Sequence, residues 1–124
     1  MSVVVRLCGY TLSRLAYELL LVQRALDREL DKMVEGRRYD EPKLREALNK
    51  LEILTDVIRF TYPACPVLRL EDVNKWKSDI VEDAKKLREA VEKGDEEKIL
   101  YALASTTVET ASLFMRLYNT FTEM

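Results

Sequence analysis

The sequence predicts an all-α protein, an antiparallel up-down-up-down four-helix bundle that forms one domain over residues 1–124. Apolar residues recur with the 3–4 spacing of a buried helix face, and helix-stopping residues interrupt this pattern three times. Glycine and proline are scarce, with 3 of each. Because short connections join long helices, neighbours along the chain are expected to be antiparallel.

The first helix is predicted from about Tyr10 to Glu35. Gly36 ends it, because glycine readily adopts the left-handed backbone that closes many helices. Residues 2–7 are β-branched in character and fit either an extended lead-in or an extra helical turn. The inner stripe of this helix is predicted to be Leu12, Leu15, Leu19, Val22, Leu26, Leu30 and Met33.

The second helix is predicted to start at Pro42, since proline suits a first helical turn, and to end at the run Tyr62-Pro-Ala-Cys-Pro66. Its seam is Leu44, Ala47, Leu51, Leu54 and Ile58, with Ile53, Val57 and Phe60 as a second stripe. The third helix should run from Glu71–Asp72 to Gly94. Its predicted inner face is Val73, Trp76, Ile80, Ala84, Leu87 and Val91.

The fourth helix is predicted to be capped by Asp95 and to run to about Phe121. One face carries Ile99, Leu103, Thr106, Leu113 and Leu117, and a helix in a monomeric bundle needs only one such stripe. A second face is also apolar, and the first helix has Tyr10 outside its stripe. This excess predicts a homodimer, with an interface of Tyr17, Leu21, Leu100, Ala104, Val108, Ala111, Met115 and Tyr118.

Polar residues, most of them small hydroxyl residues, are frequent on the otherwise apolar fourth helix, at Ser105, Thr106, Thr107, Glu109, Thr110 and Ser112. They could line a polar pocket. Alternatively, they let helices approach closely while each hydroxyl bonds back to its own helix backbone. The second interpretation is favoured, because no base that would activate a nucleophile accompanies them.

The chain contains no histidine, and this excludes the nucleophile pairs and the imidazole metal sites that depend on it. The formal net charge is -2, so no overall field attracts nucleic acid or an acidic membrane. The start of the chain does not fit a signal peptide, and no segment is apolar enough to span a membrane. We expect a cytoplasmic protein without catalytic residues, metal ligands or cofactors, and the charge-rich composition suggests a thermophilic source.

Asp79, Glu82 and Asp83 share one face of the third helix. With the turn that follows Glu89, this arrangement resembles the MazG-like all-α pyrophosphatases. That resemblance implies a second acidic motif near residues 101–105, where the chain reads Tyr-Ala-Leu-Ala-Ser. Without a second carboxylate pair, a magnesium site between two helices is not expected, and a solvated charged face is the simpler interpretation.

Residues 76–121 lead from Trp76 through a helix and a Glu-Lys-Gly-Asp turn into an Ala/Ser/Thr-rich helix. This layout is similar to HEPN domains, which are dimeric helical bundles. The active ribonucleases of that family carry an arginine followed by a histidine on the last helix. Arg116 has no such histidine after it, so the resemblance implies a catalytically silent relative.

One loop combines basic residues with an aromatic ring. Tyr39 could stack on a base while Arg37, Arg38 and Lys43 contact phosphates beside a helix N-terminus. Acidic neighbours, among them Glu35, neutralise much of this charge, so a solvated loop is the alternative. A nucleic-acid or nucleotide-binding accessory subunit is therefore the second functional hypothesis, after a non-enzymatic, homodimeric interaction or scaffold protein with a protein partner.

Cys8 and Cys65 fall at the same end of the predicted bundle if the first two helices are antiparallel about the Gly36–Glu41 turn. The two residues then lie within about one helical turn of each other in height. A disulfide between them is one prediction, and two separate buried thiols are the other.

Overall fold

The computed structural model describes residues 3–65 and 68–124. Within these ranges the chain forms four α-helices, α1 (Val3–Val34), α2 (Glu41–Thr61), α3 (Leu70–Lys93) and α4 (Glu96–Thr122). A short 3₁₀ turn, Tyr62–Ala64, follows α2. The predicted all-α fold is thus confirmed. Ser2 and Pro66 lie outside the described residues.

The helix ends follow the local chemistry of the sequence. Asp40 and Asp95 cap α2 and α4, each accepting a hydrogen bond from a backbone N–H three residues later, at 3.1 and 3.2 Å. Gly36 and Gly94 follow α1 and α3 with φ of 77° and 67°, a backbone that side chains with a Cβ adopt only under strain. Residues 3–7 continue α1 as helix, which decides the alternative that the sequence left open.

The helices pack in cyclic order, α1 against α2, α2 against α3, α3 against α4 and α4 against α1. The start of α1 lies beside the end of the chain, since a Cβ placed on Gly9 would be 3.7 Å from the Met124 side chain. Sequential helices therefore alternate in direction, as predicted for an up-down-up-down bundle. In this order α2 and α4 occupy opposite corners.

The core runs the length of the bundle and is made of the inner stripes of all four helices. The seams of α2 and α4 are buried as predicted, while Leu30, Met33 and Trp76 are only half-buried. The predicted second stripe of α2 is on the outside, with Phe60 82% exposed. A bundle closed by four seams has no fifth neighbour to cover that stripe.

Candidate interaction surface

The outward side of α4 is apolar along most of its length. We call it the outer α4 face, and it consists of Leu100, Tyr101, Ala104, Val108, Ala111, Met115 and Tyr118. Tyr101 is 78% exposed and Val108 is 67% exposed, so the bundle leaves these large side chains in water. Burial of such side chains is favourable by about 25 cal/mol per Å², so the face is suited to a partner.

The charges of α4 lie along the α3 side of this face. Between Lys98 and Glu123 the helix carries only Glu109 and Arg116. The Arg116 guanidinium lies 5.8 Å from the centre of the Trp76 ring on α3, and Glu109 lies in the same groove between α3 and α4. Glu109 also borders the outer α4 face, where it lines an open depression beside Val108.

The inner side of α4 explains why its outer side is free to be apolar. Thr106, Thr107 and Thr110 are buried, and each hydroxyl donates to the carbonyl four residues earlier at 2.8, 2.7 and 2.7 Å. Small side chains with satisfied hydroxyls allow α4 to pack closely on its neighbours. The inner stripe thus closes the core without the residues of the outer face. The three threonines fit the close-packing interpretation, whereas Ser105 and Ser112 line grooves at the α3 side of the helix.

The surface of the outer α4 face is uneven. An open depression of about 460 Å³ lies over Ala104 and Ser105, between the larger side chains of Tyr101 and Val108, and Glu109 borders it on the α3 side. A small residue between large ones forms a hole that a side chain from another helix can enter.

The interface residues predicted on α1 are exposed but lie at different places. Tyr17 is 52% exposed, and its ring is 5.9 Å from the Arg14 guanidinium. Leu21 lines the groove between α1 and α2, together with Lys43 and Lys50. The structure therefore groups the six predicted residues of α4 on one face and places Leu21 on the α2 side of α1.

The basic loop is divided by the fold. Arg37, Arg38 and Tyr39 line a 370 Å³ cavity at the end of the bundle, next to Gly94. Arg37 forms an ion pair with Glu35 at 2.5 Å, and Tyr39 is half-buried against the core. Lys43 lines the separate α1–α2 groove.

A buried carboxylate that sequence reasoning missed holds this loop in place. Glu29 accepts a hydrogen bond from the Asp40 backbone N–H at 2.7 Å and pairs with Lys32 Nζ at 3.0 Å. Its side chain is only 4% exposed. A signal for this residue was present in the sequence, because Glu29 occupies the step of the 3–4 stripe between Leu26 and Met33, where the other positions are apolar.

The acidic residues of α3 meet one further carboxylate across the α3–α4 groove. Burial raises the pKa of Glu109 above its ordinary value, and the nearby charges of Asp83 and Asp79 raise it further. Burial is also the main cause of a raised pKa for Asp83, which Lys86 partly offsets. Glu109 was predicted only as one of the polar residues of the fourth helix, not as a neighbour of these carboxylates. In residues 3–65 and 68–124, no group of three acidic, cysteine or histidine residues is arranged to hold a metal ion.

Cys8 and Cys65 are brought together at one end of the bundle and are joined by a disulfide, with Cα atoms 5.1 Å apart. Both residues are buried. The bond ties the first turns of α1 to the connection between α2 and α3. It therefore fixes the end of the bundle at which α1 begins and α2 ends.

Comparison of the chain with models of known protein families, with curated proteins and with solved structures finds no significant match. The resemblances noted for residues 76–121 and for the acidic face of α3 therefore gain no support from relatives. None of the helices in the described part of the chain is long and apolar enough to span a membrane.

Proposed function

We propose that this protein is a non-enzymatic interaction module that forms a homodimer through the outer α4 face. The observation that carries the proposal is the length of that face, which presents an apolar stripe from Leu100 to Tyr118. Monomeric proteins rarely leave such a stripe in water, and contiguous apolar surface generally marks an interface.

The exposed area is compatible with a dimer interface. The outer α4 face alone exposes on the order of 600 Å², somewhat below the roughly 800 Å² that each partner contributes to a standard interface. Tyrosine and methionine are also among the residues enriched in interfaces. A second copy of the chain is the simplest partner, because it is always present at the same concentration and carries the same face.

The test is the mass of the protein in solution, measured at high micromolar concentration by analytical ultracentrifugation. We expect twice the mass of one chain. Met115→Glu and Leu100→Glu should each yield monomers, because an unpaired carboxylate in an apolar interface weakens association by about 3 kcal/mol or more, roughly 100-fold in the dissociation constant.

Val81→Glu provides the matched control. Val81 is an exposed apolar residue on the outward side of α3, 39% exposed, so it receives the same charge on a similar helix position. This variant should remain a dimer. A monomeric natural protein at high micromolar concentration would contradict the proposal, and so would equal dissociation of the Val81 and Met115 variants.

The accessory-subunit hypothesis has less support from the geometry. Arg37 and Arg38 share the end cavity with Tyr39, but Arg37 is paired there with Glu35, and Lys43, the third cation, lies in a different groove. Nucleic-acid affinity depends on the number of phosphates neutralised, and one cation gives little. The homodimeric module is therefore the function that we propose.

A further inference from the structure

The outer α4 face forms a stripe along the helix that a second helix can pack against. From Tyr101 to Tyr118 its residues alternate in steps of three and four, as in the seam of a two-stranded coiled coil. The seam residues are Tyr101, Ala104, Val108, Ala111, Met115 and Tyr118. Leu100 lies beside this seam, on the side of α1. A seam of this kind pairs with another helix of the same spacing.

We infer that two copies pair through α4 in antiparallel orientation, about a two-fold axis at the height between Val108 and Ala111. This inference rests on the proposed homodimer and specifies its arrangement. In an antiparallel pair, a residue that lies a given number of positions before the two-fold axis faces the partner's residue that lies the same number of positions after it. Ala104 then faces the partner's Met115, and Val108 faces the partner's Ala111. The two tyrosines of the seam meet at its ends.

Side-chain size favours this orientation over the parallel one. In the antiparallel pair each alanine lies opposite a large residue, so the inner layers have similar widths and fill evenly. The depression over Ala104 is then the place that the partner's Met115 enters. In a parallel pair each residue would face its own copy. Layers of two alanines would alternate with layers of two large residues, leaving gaps that cost stability.

Charge favours the same choice. Glu97 is the next residue of the seam toward the start of α4, and Thr122 is the next residue toward its end. A parallel pair would set two Glu97 carboxylates opposite each other, which is unfavourable. The antiparallel pair places Glu97 opposite the partner's Thr122 and also aligns the helix dipoles in opposite directions.

The arrangement leaves the far side of each bundle open. Because α2 lies at the corner opposite α4, its exposed stripe of Ile53, Val57 and Phe60 faces away from the partner. The dimer thus closes on itself through one isologous interface, as two-fold symmetry requires.

Cross-linking tests the orientation. Ala104→Cys and Met115→Cys are prepared singly and by coexpression of the two chains, followed by mild oxidation and a non-reducing gel. Cys8 and Cys65 are already bonded to each other and buried, so they do not compete. We expect the coexpressed chains to give a covalent dimer containing one of each. Each single variant should remain uncrosslinked, because its two copies lie about 16 Å apart along the axis.

Val81→Cys on α3 is the control for random collision and should not cross-link. Self-cross-linking of either single variant would overturn the antiparallel orientation while leaving the homodimer intact. A protein of dimeric mass with no cross-link between positions 104 and 115 would also overturn it, and would place the interface elsewhere. A monomeric mass would remove the proposed function as well, so the two failures are distinguishable.

Discussion

Helices α3 and α4 have similar lengths, and each packs on two neighbours, but their outward sides differ in chemistry. The exposed side of α3 carries alternating charges, including Lys75, Glu82 and Lys86, and it forms ion pairs along its own length. The exposed side of α4 is apolar over the corresponding length. Since the inner stripes of both helices are equally buried, the fold does not explain this difference.

In both helices the inner stripe accounts for packing into the bundle, and the chemistry of the outer side is not fixed by that packing. Burial of the inner stripe holds the bundle together, and either outer chemistry is compatible with it. The ion pairs of α3 also extend to α2, where Lys77 contacts Asp56 at 2.7 Å and Arg88 contacts Glu52. α4 has no comparable pair to a neighbouring helix among the described residues, so its outer face is organised for apolar contact.

The strongest test of the comparison concerns the inner stripes. Leu87 on α3 and Leu103 on α4 are both 0% exposed, so replacing either by alanine should lower the free energy of unfolding by about 2–5 kcal/mol. Urea denaturation in the Met115→Glu background measures this without a contribution from dimer dissociation. If one substitution had almost no effect on the free energy of unfolding, the inner stripes of α3 and α4 would not contribute equally to the core.

The close packing of α4 gives a smaller effect. Thr110 is fully buried at a position where a larger side chain has no room, so Thr110→Leu should cost about 1–3 kcal/mol through overpacking. Val108→Leu, on the outer α4 face, is the control and should change stability by less than about 0.5 kcal/mol in the same monomeric background. Equal stability of the two variants would show that the inner side of α4 is not tightly packed.

The smallest expected effect on stability concerns Glu109, in the groove between α3 and α4. The folded-state pKa of Glu109 is raised, so its contribution to stability is present below its unfolded pKa, near 4.5, and is lost as the pH rises through the higher folded value. Glu109→Gln should therefore raise the midpoint of thermal unfolding slightly at pH 7 and have no such benefit below about pH 4.

Glu92→Gln serves as the control for Glu109→Gln, because Glu92 is exposed on the charged side of α3. It should leave the unfolding midpoint nearly unchanged at both pH values. A lower midpoint for Glu109→Gln at pH 7 would mean that the Glu109 carboxylate is stabilised in the fold, contrary to the assigned direction of its pKa shift.

Much of the fold could be predicted from local chemistry. The capping residues Asp40 and Asp95 and the terminating glycines Gly36 and Gly94 bound the helices as expected, because these residues act on the few backbone groups next to them. Residues 3–7 were undecided, since the β-branched residues at their start are poor helix formers. Once Cys8 is fixed in the core, each further helical residue adds a hydrogen bond, and the helix extends.

The features that were missed depend on contacts between helices. Glu29 and Glu109 acquire their surroundings from a neighbouring element. The inner stripe of α1 includes position 29, but the stripe alone does not say which group satisfies the Glu29 carboxylate. Similarly, the spacing of Ile53, Val57 and Phe60 marks a helix face and does not say whether another helix covers it. The outer α4 face could be predicted because α4 carries more apolar residues than one inner stripe needs. This excess is visible in the sequence of α4 alone.

The bond between Cys8 and Cys65 also determines how the chain would respond to tension. It closes a covalent ring over a sequence separation of 57 residues, and this ring contains nearly all of α1 and the whole of α2. Force applied at the two termini cannot extend the residues inside the ring. The fully stretched chain is therefore shorter by on the order of 190 Å, at about 3.4 Å per residue. Under tension the chain is a closed loop with an extensible segment on each side. The longer segment, after Cys65, contains the α4 helix proposed to bind the second copy.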